Sequence, residues 1–184
     1  MGTRGRVAVA VTVLLFCGCA GEPQSRAGKD VKVPIDLSGE DHYRMAVVAY
    51  KKVVELQRKR EEAKTLPERR RIEGLLDFQW ETYRKHLEKA EAALGNDLRV
   101  KMLRGAYWFL KGENEKALAV YEGVIAADDG VATAHYMRAR CLLRLGRLQE
   151  AKAACEKALE QAPEYRPAAM LLVEIERRIA ASHP

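Results

Sequence analysis

The sequence predicts an all-α chain: a solenoid of helical hairpins, preceded by a long helix pair and closed by a capping helix. Three observations predict it. The composition is 48% hydrophobic and 32% charged but only 7% aromatic, with Ala, Leu, Glu, Lys and Arg dominant, which favours helices over strands. Apolar residues recur at spacings of three and four through residues 40–94. Between residues 97 and 166 the chain repeats itself at a spacing of 34. With 184 residues there is room for one ordinary domain plus appendages, and for a core that needs no disulfide framework.

Residues 1–18 read as a signal peptide. Arg4 and Arg6 precede the apolar run Val7 to Phe16, and small residues surround Cys17, Gly18 and Cys19. The run is too short to span a membrane, which takes about 20 apolar residues. Glu22 and Pro23 interrupt it soon after Cys19. Three roles are open to Cys17 and Cys19: a metal or redox pair, thiols of a membrane helix, or a processing site. A metal or redox pair has no fold to hold it in a segment that is cut away. The stretch FCGC resembles the lipobox of bacterial lipoproteins, in which a small residue precedes the cysteine that is lipidated and becomes the mature N-terminus. The resemblance makes Cys19 the lipidated residue, whereas Cys17 follows the bulky Phe16, which itself stands where such signals most often carry Leu. Plain export with cleavage nearby is the other reading. Residues 19–38 then form a lipidated N-terminus and a flexible linker, mixing Gly, Pro, Ser and charges without helical or strand period. Ala20 after the cysteine, rather than Asp, implies by the same resemblance an outer-membrane anchor facing the periplasm.

Residues 39–95 are expected to form a helical hairpin. Ser38 with Asp41 marks a helix start, and Tyr43, Ala46, Val47, Tyr50, Val53 and Val54 keep one apolar face. The charged run QRKREEAK reads as a solvated face. Thr65 and Glu68 form a second capping box, with Pro67 in the first turn where its missing N–H costs nothing. Leu76, Trp80, Tyr83, Leu87, Ala90 and Leu94 then make an antiparallel-hairpin or coiled-coil seam, and Gly95 ends the second helix.

Residues 96–184 hold two repeat units and the capping helix. Gly112 recurs as Gly146, Ala117 as Ala151, Arg104 as Arg138 and Ile125 as Leu159. These residues carry a resemblance to the tetratricopeptide repeat (TPR) family, whose unit is two antiparallel helices joined by a tight turn. On that resemblance Gly105 and Ala139 take the small site of the first helix, and Gly112 and Gly146 the turn. Ala117 and Ala151 take the small site of the second helix, Tyr121 and Cys155 its aromatic slot, Val124 and Ala158 its later small site, and Pro163 the terminal proline. Small residues let the helices approach, while Trp108, Leu118, Leu142 and Leu159 fill the space between them. The chain departs from the family pattern at Lys101 and His135, in place of tryptophan, and at Asp129, in place of proline. In the capping helix Ala168, Leu171, Leu172 and Ile175 cover the last repeat while Glu174, Glu176, Arg177 and Arg178 face water. One frame earlier the pattern fails, so residues 40–94 read as a divergent pair and not as a third repeat.

The resemblance implies a concave groove, lined by first helices, that binds peptide segments or helices of partner proteins. Carried over by position, its residues are Arg99, Met102, Ala106, Phe109 and Leu110 in the first copy and Thr133, Tyr136, Arg140, Leu143 and Arg144 in the second. Arg140 and Arg144, one turn apart, are placed to clamp the carboxylate of an acidic or C-terminal segment beside Met102, Phe109 and Tyr136. The alternative is that both are solvated or paired with glutamates of the capping helix. Family members that hold the C-terminal carboxylate of chaperones use Lys and Asn at groove sites where this chain has Met102, Ala106 and Tyr136, so that specificity does not carry over.

Catalysis, cofactors and metals are not expected. His42, His86, His135 and His183 lack ligand spacing, and no phosphate loop or serine elbow occurs. Asp128 and Asp129 read as helix-capping residues, and Cys141 and Cys155 as buried thiols for which an exported compartment also allows a bridge. The net charge of +6 includes two basic residues and no acid in residues 1–18, leaving +4 after their removal, too little to argue for nucleic acid. Two functions follow as expectations: a lipid-anchored adaptor or scaffold for partner proteins of a bacterial envelope assembly, or a spacer that self-associates as a dimer through Leu76, Trp80, Tyr83 and Leu87.

Overall fold

A computed structural model describes residues 37–182, and among these there are seven α-helices and no strand. The expectations for the signal peptide, for lipidation at Cys19 and for all but the end of the linker lie outside the described residues. The long pair is α1 (Gly39–Glu62) and α2 (Leu66–Leu94). Two shorter hairpins follow, α3 (Leu98–Lys111) with α4 (Asn114–Ala127) and α5 (Ala132–Arg144) with α6 (Leu148–Gln161), and α7 (Arg166–Ser182) closes the series. Each hairpin packs on the next: α3 meets α1 and α2, α4 meets α5, and α7 meets both α6 and α5. This is the all-α repeat solenoid the sequence predicts.

Local chemistry sets the helix ends. The Ser38 hydroxyl accepts from the Asp41 N–H at 3.2 Å, and the Asp41 carboxylate accepts from the Ser38 N–H at 3.2 Å, a complete capping box. At Thr65 only half of the expected box forms: its hydroxyl accepts from the Glu68 N–H at 3.4 Å, without a return bond from the Glu68 side chain. Gly112 and Gly146 end α3 and the α5 turn at φ 84° and 76°, a left-handed conformation that costs a Cβ-bearing residue about 1–2 kcal/mol. The N–H groups of Gly112 and Glu113 reach back to the Phe109 and Trp108 carbonyls, and those of Gly146 and Arg147 to Leu143 and Leu142. The two turns are thus the same structure 34 residues apart. The starts of the first helices repeat as well: the N–H groups of Val100, Ala134 and Ala168 donate to the carbonyls of Asp97, Val131 and Tyr165. The capping helix therefore begins as the first helix of a third unit would.

Packing corrects several expectations. The buried stripe of α1 is His42, Ala46, Ala49 and Val53, while Val54 is 41% exposed. Leu76, Tyr83 and Leu87 of α2 are buried within the chain, and the Tyr83 hydroxyl donates to the Leu103 carbonyl at 2.6 Å, tying α2 to α3. Those three side chains are consumed by the fold and cannot form the expected dimer seam. Trp80, half-buried, meets Tyr107 edge-on at 5.5 Å. In the repeats Phe109, Leu118, Tyr121, Leu142, Cys155 and Ile175 share one core cluster. Ile175 brings the capping helix into it, a burial that stabilises by about 1.5–3 kcal/mol. Leu159, expected as interior filling, is only half-buried. Cys141 and Cys155 are buried and unbridged, and burial pushes their thiols up to about 12 and about 11. Asp128 does not cap α5; its carboxylate accepts from the Gly130 N–H at 2.9 Å, and Asp129 faces the buried His135, with Oδ1 3.2 Å from Nε2.

Candidate functional site

The three first helices α1, α3 and α5 together enclose an open cavity of about 370 Å³. Four of the ten groove candidates line it: Arg99, Met102, Ala106 and Thr133. Tyr43 and Tyr50 of α1 complete its wall. Sequence reasoning missed these two because α1 has no repeat register from which to carry a groove position; their place at helical spacing on an apolar face was the only available signal. The floor is Tyr121, fully buried, and among the described residues its hydroxyl has no hydrogen-bond partner. That ring reaches the groove because Gly105 lets it in: a Cβ at Gly105 would stand 2.5 Å from the Tyr121 ring. Arg99 sits at the rim over the Tyr43 ring, 4.9 Å from its centroid, and is already paired with Asp97 at 2.7 Å and Glu40 at 3.1 Å. The bond from Arg99 holds the Asp97 carboxyl below its usual range. This part of the groove is therefore an apolar and aromatic surface whose cation is internally neutralised.

The remaining candidates divide. Phe109, Arg140, Leu143 and Arg144 line a second cavity of about 260 Å³ together with Leu171, Glu174 and Arg178 of α7. Phe109 is not on the groove surface as expected; it is 2% exposed, and Ala106 is buried as well. Phe109 instead serves as the platform for both arginines, with the guanidinium carbons of Arg140 and Arg144 at 4.5 Å and 3.7 Å from its ring centroid. Arg144 also donates to the Phe109 carbonyl at 2.9 Å. Neither arginine pairs with a glutamate of α7, where Glu174 binds Arg178 at 2.5 Å. Tyr136 lies under the same Arg140 guanidinium at 5.6 Å, edge-on to Tyr165 at 5.4 Å, and lines a third cavity with Pro167, Met170, Leu171 and Glu174. Leu110 lines none of these three; its carbonyl accepts from the Gln57 side chain at 3.4 Å. The predicted single strip is thus two subsites, an aromatic one between α1, α3 and α5 and a basic one between α5 and α7.

The histidines of the long pair serve the fold. His42 and His86 bring their Nδ1 atoms to 2.8 Å with ring centroids 5.0 Å apart, so one Nδ1–H donates to the other nitrogen. Burial, then His42, then Lys85 and Lys89 lower the His86 pKa. Among the described residues no three His, Cys, Asp or Glu side chains converge as metal ligands, and no helix is long and apolar enough to cross a membrane.

Comparisons with known proteins agree with this geometry. Residues 109–175 match the family model described as tetratricopeptide repeat. No curated protein matches the sequence. Among solved structures the chain is similar to the first TPR domain of the human RPAP3 protein, at 18% identity and a TM-score of 0.55, covering 76% of this chain and 95% of that one. It is also similar to the first TPR of Spaghetti (RPAP3) bound to an HSP90 peptide, at 17% identity and a TM-score of 0.53, covering 75% and 95%. A thermophilic TPR protein of Thermus thermophilus matches at 22% identity and a TM-score of 0.54, covering 74% and 70%. Coverage of three quarters exceeds what residues 96–184 supply, so these likenesses take in α1 and α2 as well as the repeats. Residues 109–175 are similar to the tetratricopeptide repeat, and the described residues form an all-α helical-repeat solenoid like those of the TPR domains compared.

Proposed function

We propose that this chain is an exported adaptor, lipid-anchored through Cys19 to the outer membrane of a bacterial envelope, that holds a segment of a partner protein of an envelope assembly in its groove. The observation that carries the reading is the open aromatic cavity of Tyr43, Tyr50 and Met102 above the unpartnered Tyr121 hydroxyl. Apolar and aromatic walls in an open cavity suit an extended or helical peptide, whose side chains fill it. A similar TPR domain has been solved with a peptide bound, which supports a protein segment as the occupant. An acidic or C-terminal segment is the partner chemistry the arginines favour. Binding is the whole activity in this reading, with no reaction catalysed.

A crosslinked pull-down from native envelopes tests it, with the full-length chain beside Tyr50→Ala plus Met102→Glu and beside Cys19→Ser. The expected result is a partner recovered in comparable amount with the bait, lost with the groove variant and depleted from the membrane fraction with Cys19→Ser. A partner indifferent to the groove variant overturns the reading. The alternative is a self-associating spacer. With Leu76, Tyr83 and Leu87 internal, the exposed apolar side chains it has on α2 are Leu66, Leu75 and Phe78, of which Leu75 and Phe78 are 49% and 67% exposed. A mass that rises with concentration and is restored to the monomer value by Phe78→Glu would favour that alternative.

A further inference from the structure

We infer that the turn of the long helix pair, residues 58–71, is a membrane-surface contact, which seats on an anionic phospholipid bilayer with Leu66 in the headgroup layer and basic side chains on the lipid phosphates. This contact is separate from the groove and stands apart from the adaptor reading. Gln57 donates to the carbonyl of Leu110, next to the last residue of α3, and Lys111, that last residue, lies over the Trp80 ring at 4.1 Å. Residues 58–71 therefore turn back past the end of α3.

The charge of the chain is concentrated at this end. Residues 19–184 carry a net +4, and residues 51–73, with nine basic and five acidic side chains, account for all of it, so the others balance to zero. Local pairing does not neutralise the excess. Arg58 holds Glu62 at 2.8 Å and Lys59 holds Glu55 at 2.5 Å. Arg69 donates to the Ala63 carbonyl at 3.3 Å, and among the described residues Arg60, Lys64, Arg69, Arg70 and Arg71 reach no carboxylate. Glu61, Glu68 and Glu73 are the acids left beside these five cations. The crown of the turn is apolar: Leu66, the first residue of α2, is 62% exposed between the exposed Thr65 and Pro67.

An exposed leucine ringed by cations fits a phospholipid surface, because guanidinium and ammonium groups bind phosphate oxygens while the acyl boundary covers the leucine. A nucleic acid matches the charge but offers the leucine no cover, and residues 58–71 hold no aromatic ring on which a base would stack. Residues 20–36 lie between Cys19 and the first described residue; fully extended they span about 55–60 Å, against about 36 Å for the 24 residues of α1. A chain anchored at Cys19 can therefore set the far end of α1 on the same bilayer. Tyr43 and Tyr50 lie about two to four turns nearer the start of α1, so contact at the turn leaves the aromatic cavity open to a partner.

Liposome titration with the full-length Cys19→Ser chain, which carries no lipid of its own, tests this contact. An environment-sensitive fluorescent amino acid replaces Leu66 in one protein and Gln149, on the exposed side of α6, in another. Vesicles hold about 30 mol% phosphatidylglycerol in phosphatidylcholine, or phosphatidylcholine alone. The expected result is a blue shift at 66 with anionic vesicles only, and none at 149. The partition coefficient read from that shift is expected to fall about tenfold or more with Arg60→Gln plus Lys64→Gln plus Arg70→Gln, and likewise on raising salt from about 50 to 500 mM. These three side chains are exposed and bond to nothing else among the described residues, so the triple variant keeps the fold, which an unchanged urea midpoint checks. An equal shift at 66 with neutral vesicles, a shift at 149 without one at 66, or indifference to the triple variant overturns the inference. A short duplex DNA that binds as tightly as the anionic vesicles and competes with them also overturns it, and assigns the turn to nucleic acid. No shift at 66, with a native partner still lost through Tyr50→Ala plus Met102→Glu, removes this contact and leaves the adaptor reading standing.

Discussion

The two repeats share a backbone and differ in how they fill it. Their turns at Gly112 and Gly146 make the same hydrogen bonds 34 residues apart, and their glycines adopt the same left-handed conformation. Inside, the first repeat pairs Gly105 with Tyr121, and the second has Ala139 and Cys155 at the same two positions, all four side chains or sites buried. The large Tyr121 ring has room only because Gly105 carries no Cβ, whereas the small Cys155 thiol leaves room for the Ala139 methyl. The difference has a consequence outside the core. At these two positions the first repeat places a tyrosine at the floor of the aromatic cavity, and the second, with Phe109 behind it, gathers two arginines that have no acidic partner among the described residues. One backbone plan thus carries an aromatic subsite at one place and a basic one at another.

The largest effect that breaks this comparison should come from truncating the ring. Tyr121→Ala is expected to cost about 3–5 kcal/mol, against about 1 kcal/mol for Cys155→Ala at the equivalent site, read from urea denaturation midpoints. Next, Gly105→Ala drives a Cβ to 2.5 Å from the Tyr121 ring and should cost about 1–3 kcal/mol. Adding Tyr121→Cys, which copies the second repeat into the first, should leave the double variant more stable than the sum of the two singles predicts. An additive pair would show that the two positions do not share one space. The turns should then behave alike: Gly112→Ala and Gly146→Ala are each expected to cost about 1–2 kcal/mol, equal to within a few tenths, because both sit at positive φ.

The smallest effect contrasts the long pair with the repeats. Because burial and His42 lower the His86 pKa, the folded chain favours the neutral His86 imidazole, whereas an unfolded histidine takes up its proton near about pH 6.5. The stability His86 contributes is present above that pH and is lost as pH falls below it. Denaturation at about pH 7.5 and 5 should therefore show a loss that His86→Gln reduces. A loss of the same size in that variant would place the pH dependence elsewhere.

The elements that the sequence revealed are those governed by short-range rules. Ser38 with Asp41, Gly95, Gly112, Gly146 and the 34-residue spacing depend on neighbours within a turn, and each appears where the pattern puts it. The α2 seam was legible for the same reason, but its use was not: periodicity shows that Leu76, Tyr83 and Leu87 share a face and cannot show whether that face meets α1 and α3 or a second chain. The groove was legible only as a list of positions. Phe109 and Ala106 turn out buried, Phe109 beneath the guanidiniums of Arg140 and Arg144, and Tyr43 and Tyr50 were missed because α1 follows no repeat frame. The division of the arginines between Glu174, Phe109 and each other depends on α7, whose contribution through Arg178 no spacing rule could supply.

The most direct test of the central claim is site-specific photocrosslinking in intact cells, with a photoreactive amino acid placed singly at positions 102, 170, 149 and 78. The account predicts one partner protein crosslinked from 102 in the aromatic subsite and from 170 beside the basic one, with none from 149 on the exposed side of α6. Crosslinks from 149 alone, or chain-to-chain crosslinks from 78 with nothing from 102, would contradict it and move the interaction out of the groove.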